Sequence, residues 1–267
     1  KVTLKNGTLT VAEENKGEFY ILVQNYADLT VIDMTLDGTN LDKWSKTDGD
    51  SYTLSNNSGI VNINGNTSII ANNEGDLAFA FDVFKKNGYE APVVNVNTTG
   101  KITGKIEVSA EIETNLNISG GTFTVPIADA WCADGFEPKD NGNGTYGVKL
   151  HYVAEINGVQ YTSLPAAIAA AKDGDIIKLL GDEVGAGAVI NKSITIDFGG
   201  YTYSFTQGVG STGTESNGFQ ILKGNNVTLK NGTLNVAAES ADKFYILVQN
   251  YANLTVTDMT LDGTNLD

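Results

Sequence analysis

The chain has 267 residues, enough for one large or two small cores, with 41% hydrophobic residues and a mean hydropathy of −0.13. No apolar run approaches the ~18–20 residues of a membrane span. The net charge is −15 and all 17 basic residues are lysine, which argues against nucleic acid, whose phosphates call for a basic face and arginine forks. One cysteine, Cys132, rules out a disulfide framework within the chain.

The first 42 residues return at the other end. Val2–Leu9 (VTLKNGTL) recurs at Val227–Leu234, an offset of 225 residues, and Tyr20–Ala27 recurs at Tyr245–Ala252 without insertion or deletion. Nine positions differ: Lys1/Asn226, Thr10/Asn235, Glu13/Ala238, Asn15/Ser240, Lys16/Ala241, Gly17/Asp242, Glu18/Lys243, Asp28/Asn253 and Ile32/Thr257. Val2, Leu4, Leu29 and Val31 are unchanged and alternate with polar neighbours, as a strand with one buried face requires. The apolar face is kept while the wet face drifts. A period of 225 residues that starts and stops in mid-pattern reads as a window of a longer tandem array.

Apolar–x–apolar triplets punctuated by Gly, Asn or Asp recur along the chain. They are Leu29-Thr30-Val31, Val61-Asn62-Ile63, Val94-Asn95-Val96, Leu116-Asn117-Ile118, Ile194-Thr195-Ile196, Val227-Thr228-Leu229 and Leu254-Thr255-Val256. From Ile194 the step is 33 residues to Val227 and 27 to Leu254; from the equivalent Leu29 it is 32 to Val61, 33 to Val94 and 22 to Leu116. Such steps suit one turn of a parallel β-solenoid, with adjacent turns ~4.8 Å apart. Unequal steps imply loops of different length on a regular core.

Gly135–Tyr161 differs, because Asn143-Gly144 and Asn157-Gly158 are hairpin signals. The pattern predicts a small antiparallel meander with Thr145–Ile156 as its long strand. A helix follows: Thr162 or Ser163 caps it, Pro165 sits in its first turn, Leu164, Ile168 and Ala171 form its apolar stripe, and Gly174 stops it. Asp175–Leu180 reads as the next strand. Such a helix would cover the open end of a solenoid core.

At this point the chain resembles a known family. SLPAAIAAAKDGDIIKLL at 163–180, followed by INKSITIDFGGYTYS at 190–204, is similar to the start of a pectin-lyase-like right-handed parallel β-helix. ISGGTFTVPIADAWCADGFEPKDNGNGTYGV at 118–148 resembles a segment that ends such modules in large repetitive surface proteins of anaerobic Gram-positive bacteria. The resemblance implies the fold and an extracellular, cell-surface location; the same fold carries polysaccharide lyases, hydrolases, adhesins and plain stalks.

Chemistry-bearing residues give little. Gly208–Gly213 matches GxGxxG, but a loop and a strand follow where the dinucleotide fingerprint needs a helix. His151, the one histidine, shares parity with Lys149 and Glu155 on the expected strand and reads as solvated, while Tyr146, Val148, Leu150, Tyr152 and Ile156 take the other face. Cys132 reads as a small buried hydrophobe. One His and one Cys make no zinc set. Asp33, Asp37, their repeats Asp258 and Asp262, and Asp197 are the carboxylates a β-helix glycosidase or lyase would set on its outer face, yet there is no arginine to neutralise a uronate. Turn Asp also bonds its own backbone. The oxygen-rich turns Asp48-Gly49-Asp50, Asp140–Asn143 and Asp262–Asn265 fit neither the EF-hand nor the nonapeptide calcium pattern. No residue is assigned a catalytic, cofactor or metal role.

The expectation is thus an all-β, right-handed parallel β-helix (β-solenoid) with a short capping α-helix, a small antiparallel inter-module meander and a tandem period of 225 residues. Residues 1–134 form the last coils of one module, 135–162 the joint, and 163–267 the cap and first coils of the next. The expected function is structural: an extracellular bacterial surface fibre, stalk or adhesin shaft, not an enzyme, whose partners are neighbouring modules and, secondarily, host or environmental glycans. The alternative is a carbohydrate-binding or carbohydrate-cleaving β-helix, for which Tyr26, Tyr201 and Tyr203 are the aromatic candidates.

Overall fold

The structure, a computed structural model, describes residues 1–16, 18–42, 49–72, 77–211, 213, 215–241 and 243–267. Strands take 51% of the chain and helices 9%, and the sheets are curled. The chain divides into two compact units, Lys1–Leu150 and His151–Asp267.

The first unit contains β1 (Val2–Thr10), β2 (Ile21–Asn25), β3 (Leu29–Asp37), β4 (Ser51–Asn56), β5 (Ile60–Gly65), β6 (Ser68–Ile70), β7 (Ala78–Val83), β8 (Val93–Thr98), β9 (Lys101–Thr103), β10 (Lys105–Val108), β11 (Leu116–Ile118), β12 (Thr122–Phe123), β13 (Phe136–Asp140) and β14 (Tyr146–Leu150). The second contains β15 (Ala154–Ile156), β16 (Val159–Tyr161), α1 (Leu164–Ala170), β17 (Ile176–Leu179), β18 (Glu183–Ala186), β19 (Ala188–Ile190), β20 (Thr195–Asp197), β21 (Thr202–Gln207), β22 (Asn217–Ile221), β23 (Asn226–Val236), β24 (Ile246–Asn250) and β25 (Asn253–Leu261).

In each unit the chain visits three parallel ladders in a fixed order. In the first unit, one ladder runs through the first halves of β1 and β3, then β5, β8 and β11; the next through their second halves, then β6, β9 and β12; the third through β2, β4, β7 and β10. In the second unit the ladders are β17–β20–β23–β25, β18–β21–β23–β25 and β19–β22–β24. The triplets identified above fall in the first ladder of each unit, residue on residue: Val31 pairs with Ile63, Ile63 with Val96 and Val96 with Ile118.

Alternation explains the core. Leu29, Val31, Val61, Ile63, Val94, Val96, Leu116 and Ile118 are buried, and Leu36, Ile69, Ile102 and Phe123 meet them from the second ladder. The residues between face outward and bond along the stack: Asn95 Nδ2 donates to Asn62 Oδ1 at 2.9 Å and Asn117 Nδ2 to Asn95 Oδ1 at 3.1 Å. Between the two halves of β3 the phase resets. Asp33 takes φ +53°, so that Leu29 and Val31 before it and Met34 and Leu36 after it all point inward. Asn6, Asn231 and Asp258 hold the same left-handed bend, at φ 59°, 63° and 52°. Short polar side chains tolerate that conformation where most L-residues do not.

The 135–162 region departs from the expectation. It holds no continuous Thr145–Ile156 strand: β14 ends at Leu150 and β15 starts at Ala154. Val153 and Ala154 are consecutive and both buried, which breaks the period-two pattern, while Leu150 and Tyr152 are exposed. Two hairpins result, β13 with β14 and β15 with β16, the latter turning on Asn157 and Gly158, both at positive φ as a two-residue type I′ turn requires. In α1, Ser163 Oγ accepts the Ala166 N–H at 3.2 Å, and Leu164, Ala167, Ile168 and Ala171 are buried in the core of the second unit. The helix ends at Ala171, whose ψ of 152° is already extended, before Gly174. Gly174 serves the following turn, donating to the Ser193 carbonyl at 2.7 Å.

Stack spacing sets a steric test within the first unit. A Cβ on Gly59 (φ +77°) would lie 2.3 Å from the Ala27 carbonyl oxygen just before β3, whereas one on Gly135 (φ +78°) meets nothing within 4 Å. Gly135→Ala should cost about 1 kcal/mol, the price of the left-handed backbone alone. Gly59→Ala should cost at least about 2 kcal/mol more. Denaturant melts check this; equal losses would contradict the close approach of Gly59 to Ala27.

Candidate functional site

A cluster of polar side chains lies in the third ladder of the first unit. Ser55, Asp82 and Glu107 face one another across β4, β7 and β10. Asp82 is buried, and its carboxylate accepts the Ser55 hydroxyl at 3.1 Å and the Asn56 N–H at 2.5 Å. Asn56 in turn accepts from Asn25 Nδ2 at 2.8 Å. Beside this row, Tyr52 Oη lies 2.7 Å from Glu107 Oε2 and 3.2 Å from Asp50 Oδ2, and its ring stacks on Phe79 at 5.2 Å.

Burial pushes the Asp82 carboxyl up to about 7, the Asn56 and Ser55 bonds pull it down, and the Glu107 charge adds to the rise. Burial, the Glu107 bond and the neighbouring carboxylates hold the Tyr52 phenol far above its ordinary value, so it stays neutral and donates. A carboxyl that keeps its proton near neutrality has the acidity of a general acid. Asp82 is only 3% exposed, however, so the proton has no route to a substrate. Its bonds tie β7 to β4. Nothing in the reading of the sequence singled it out; an acid inside the apolar run Ala78–Val83 was the available signal.

The carboxylates expected to matter are spread over several strands and turns. Asp33 Oδ1 accepts the Asn66 N–H at 2.8 Å, Asp37 Oδ1 the Thr39 N–H at 3.0 Å, and Asp262 Oδ1 the Thr264 N–H at 2.9 Å. The Thr264 hydroxyl and N–H hold the Asp262 carboxyl below its ordinary value. Partial burial would raise Asp197, but Asn231 Nδ2 at 3.0 Å, Lys230 Nζ at 3.1 Å and the Gly199 N–H outweigh it and bring its carboxyl down. Asp258 is exposed on the left-handed bend. Asp140 Oδ1 accepts the Gly142 N–H. Asp48 lies outside the described residues, as do Gly17 and Asp242 of the copied stretch and Thr212 of the Gly208–Gly213 loop. That loop closes by paired bonds between Val209 and Asn217 and leads into β22. Among the described residues, no group of three or more His, Cys, Asp or Glu is arranged to hold a metal ion.

His151 is a correction: it is half-buried, outside any strand, with Nε2 2.5 Å from Glu183 Oε1. Cys132 is half-buried against the first unit's core. Burial, then the Asp129 and Glu137 charges, raises its thiol, the opposite of nucleophile activation. Tyr203 is fully buried with its hydroxyl on the Ala186 carbonyl at 2.8 Å, so it cannot meet a ligand as expected. Tyr201 is exposed, and Tyr26 is exposed against Tyr89 with ring centroids 5.0 Å apart. A groove of about 440 Å³ beside α1 has one charged lining residue, Lys192, whose Nζ donates to the Ile168 and Ala169 carbonyls at the end of the helix. No described helix is long and apolar enough to cross a membrane. Comparison with known proteins finds no matching family model, no matching curated protein and no matching solved structure.

The Asp82 geometry sets a pH dependence. The unfolded carboxyl titrates near ~3.9, so between about pH 4 and about pH 7 the folded chain keeps a proton the unfolded chain has lost. The stability contributed by neutral Asp82 is complete at low pH and is lost as pH rises through about 7. Unfolding titrations should show a fall of up to ~1.4 kcal/mol per pH unit across that window, flattened in Asp82→Asn. A slope surviving in the variant would contradict the assignment.

Proposed function

We propose that the chain is a right-handed parallel β-solenoid, repeated in tandem, that serves as the shaft of an extracellular bacterial surface fibre or adhesin. One observation carries this reading. The three ladders recur in fixed order, and the copied stretches 1–42 and 226–267 use the same pairing register, Val2 on Leu29 and Val227 on Leu254. Stacked coils of this kind give stiffness and a length that scales with coil number. The turn carboxylates support a structural role, because Asp33, Asp37, Asp197 and Asp262 are engaged with their own turns or the next coil. Neighbouring modules are the natural partners.

Matching the copies, one period contributes seven first-ladder positions, at Ile177, Ile196, Leu229, Val31, Ile63, Val96 and Ile118. At ~4.8 Å per coil this is ~34 Å of shaft per period, before any joint. Chains carrying two, three and four periods should lengthen in equal steps of at least that size by small-angle scattering. Growth as the cube root of mass would contradict the shaft.

A glycan-binding face is the second reading, favoured by the exposed Tyr26–Tyr89 pair. If sugars stack there, Tyr26→Ala and Tyr89→Ala should each weaken polysaccharide binding at least ~5-fold by calorimetry. Unaltered binding in both removes this surface from consideration.

A further inference from the structure

Eight Asn-Gly steps occur in the chain, and each carries a latent reaction. The glycine amide nitrogen can attack the side-chain carbonyl carbon of the asparagine, because no Cβ on the glycine obstructs the approach. The two groups must first turn toward each other, so local freedom decides which step reacts. Four steps lie inside strands: Asn6 in β1, Asn64 in β5, Asn217 in β22 and Asn231 in β23. Asn217 is buried with Nδ2 on Gln249 Oε1 at 3.1 Å, and Asn231 Nδ2 is on Asp197 Oδ1 at 3.0 Å. Asn141 and Asn143 share the turn between β13 and β14. There the Gly142 N–H is taken by Asp140 Oδ1 at 2.8 Å, and Asn143 Oδ1 accepts the Thr145 N–H at 3.2 Å and hydroxyl at 2.6 Å. Asn157 is held in the two-residue turn by the pairing of Ile156 with Val159.

Asn87 stands apart. Residues 84–91, between β7 and β8, are all exposed. The Asn87 side chain bonds to no described residue. The turn is closed by the Tyr89 N–H on the Lys86 carbonyl at 3.2 Å, which leaves the Gly88 N–H without a partner among the described residues. Even a Cβ on Gly88 would meet nothing within 4 Å, so this turn has room to move. Next to it, Tyr89 rests against Tyr26.

We propose that Asn87 is a site of self-modification, converted by the Gly88 amide and water to aspartate or isoaspartate beside the Tyr26–Tyr89 pair. The bond from Gly88 N to Asn87 Cγ forms and the Cγ–Nδ2 bond breaks. Ammonia leaves with the Gly88 amide proton. Water then opens the resulting five-membered ring at either carbonyl. One opening restores the ordinary main chain with an aspartate at 87. The other routes the main chain through the side-chain carbon and lengthens it by one methylene. Both add a negative charge next to Tyr89, and neither needs an oxidant, a metal or an enzyme.

The test incubates the full chain in warm, mildly alkaline buffer and follows each Asn-Gly peptide by mass spectrometry, with a methyltransferase assay for isoaspartate. Asn87 should convert at least ~10-fold faster than Asn217 and Asn231 in the folded chain, and the eight rates should converge in denaturant. Asn87→Gln should remove the earliest isoaspartate signal. Conversion of Asn87 no faster than Asn217 or Asn231 overturns the proposal, as does Asn141, Asn143 or Asn157 leading it. A lead of Asn87 that persists undiminished in denaturant overturns it too, because the fold would then play no part in selecting the site.

Discussion

The inward side chains of each parallel strand are buried against those of the strands paired on either side of it. Val31 touches no large core of its own making; it is covered because Leu4 and Ile63 stand in register with it. The in-register contact of small aliphatic side chains along a parallel ladder is the constraint from which the rest follows. It demands one phase of alternation in every coil, and it demands that bends fall at fixed positions. Those bends are made with Asn, Asp and Gly because the backbone there is left-handed.

The two copies of the 42-residue stretch act as an internal experiment on that constraint. Val2 is 54% exposed in β1, where only β3 lies beside it; Val227, the same residue in the copy, is 1% exposed between β20 and β25. At the other end of the copied stretch the relation reverses, with Val31 covered and Val256 open. Sequence alone decides which side chains point inward. Neighbouring coils decide whether pointing inward means being buried.

Legibility in the sequence followed the same division. The first ladder was readable, because its triplets are aliphatic, evenly phased and close to a Gly, Asn or Asp. The second ladder was not, since strands such as Ser68–Ile70 and Lys101–Thr103 are too short to show a period. The third was hidden by chemistry: Ser51, Thr53 and Ser55 are buried polar residues, Thr53 and Ser55 bonding to Ile70 and Asp82, and composition makes them look like loop. Asp82 belongs to that ladder too, and its signal is an acid inside the apolar run Ala78–Val83. The helix and its cap were visible from Ser163, Pro165 and the Leu164, Ile168, Ala171 stripe. The break at His151–Val153 was not, because the residues on either side keep one apparent parity while the chain between them changes phase. The local bonds of Asp37 and Asp262 are what turn Asp is expected to make, whereas the reach of Asp33 to Asn66 and of Asp197 to Lys230 is set by strand pairing.

The functional reading stands on the same contact. The proposed shaft would draw its stiffness from paired ladders, and three carboxylates bond between elements: Asp82 inside the third ladder, Asp33 across to Asn66, Asp197 to Lys230. The most direct measurement of the central claim is the order of methyl contacts in solution. In a chain labelled at its Ile, Leu and Val methyls, nuclear Overhauser contacts should link Val31 to Ile63, Ile63 to Val96 and Val96 to Ile118, each only to its immediate neighbours. A contact between Val31 and Ile118, or cross-peaks of an antiparallel pairing between β3 and β5, would contradict it.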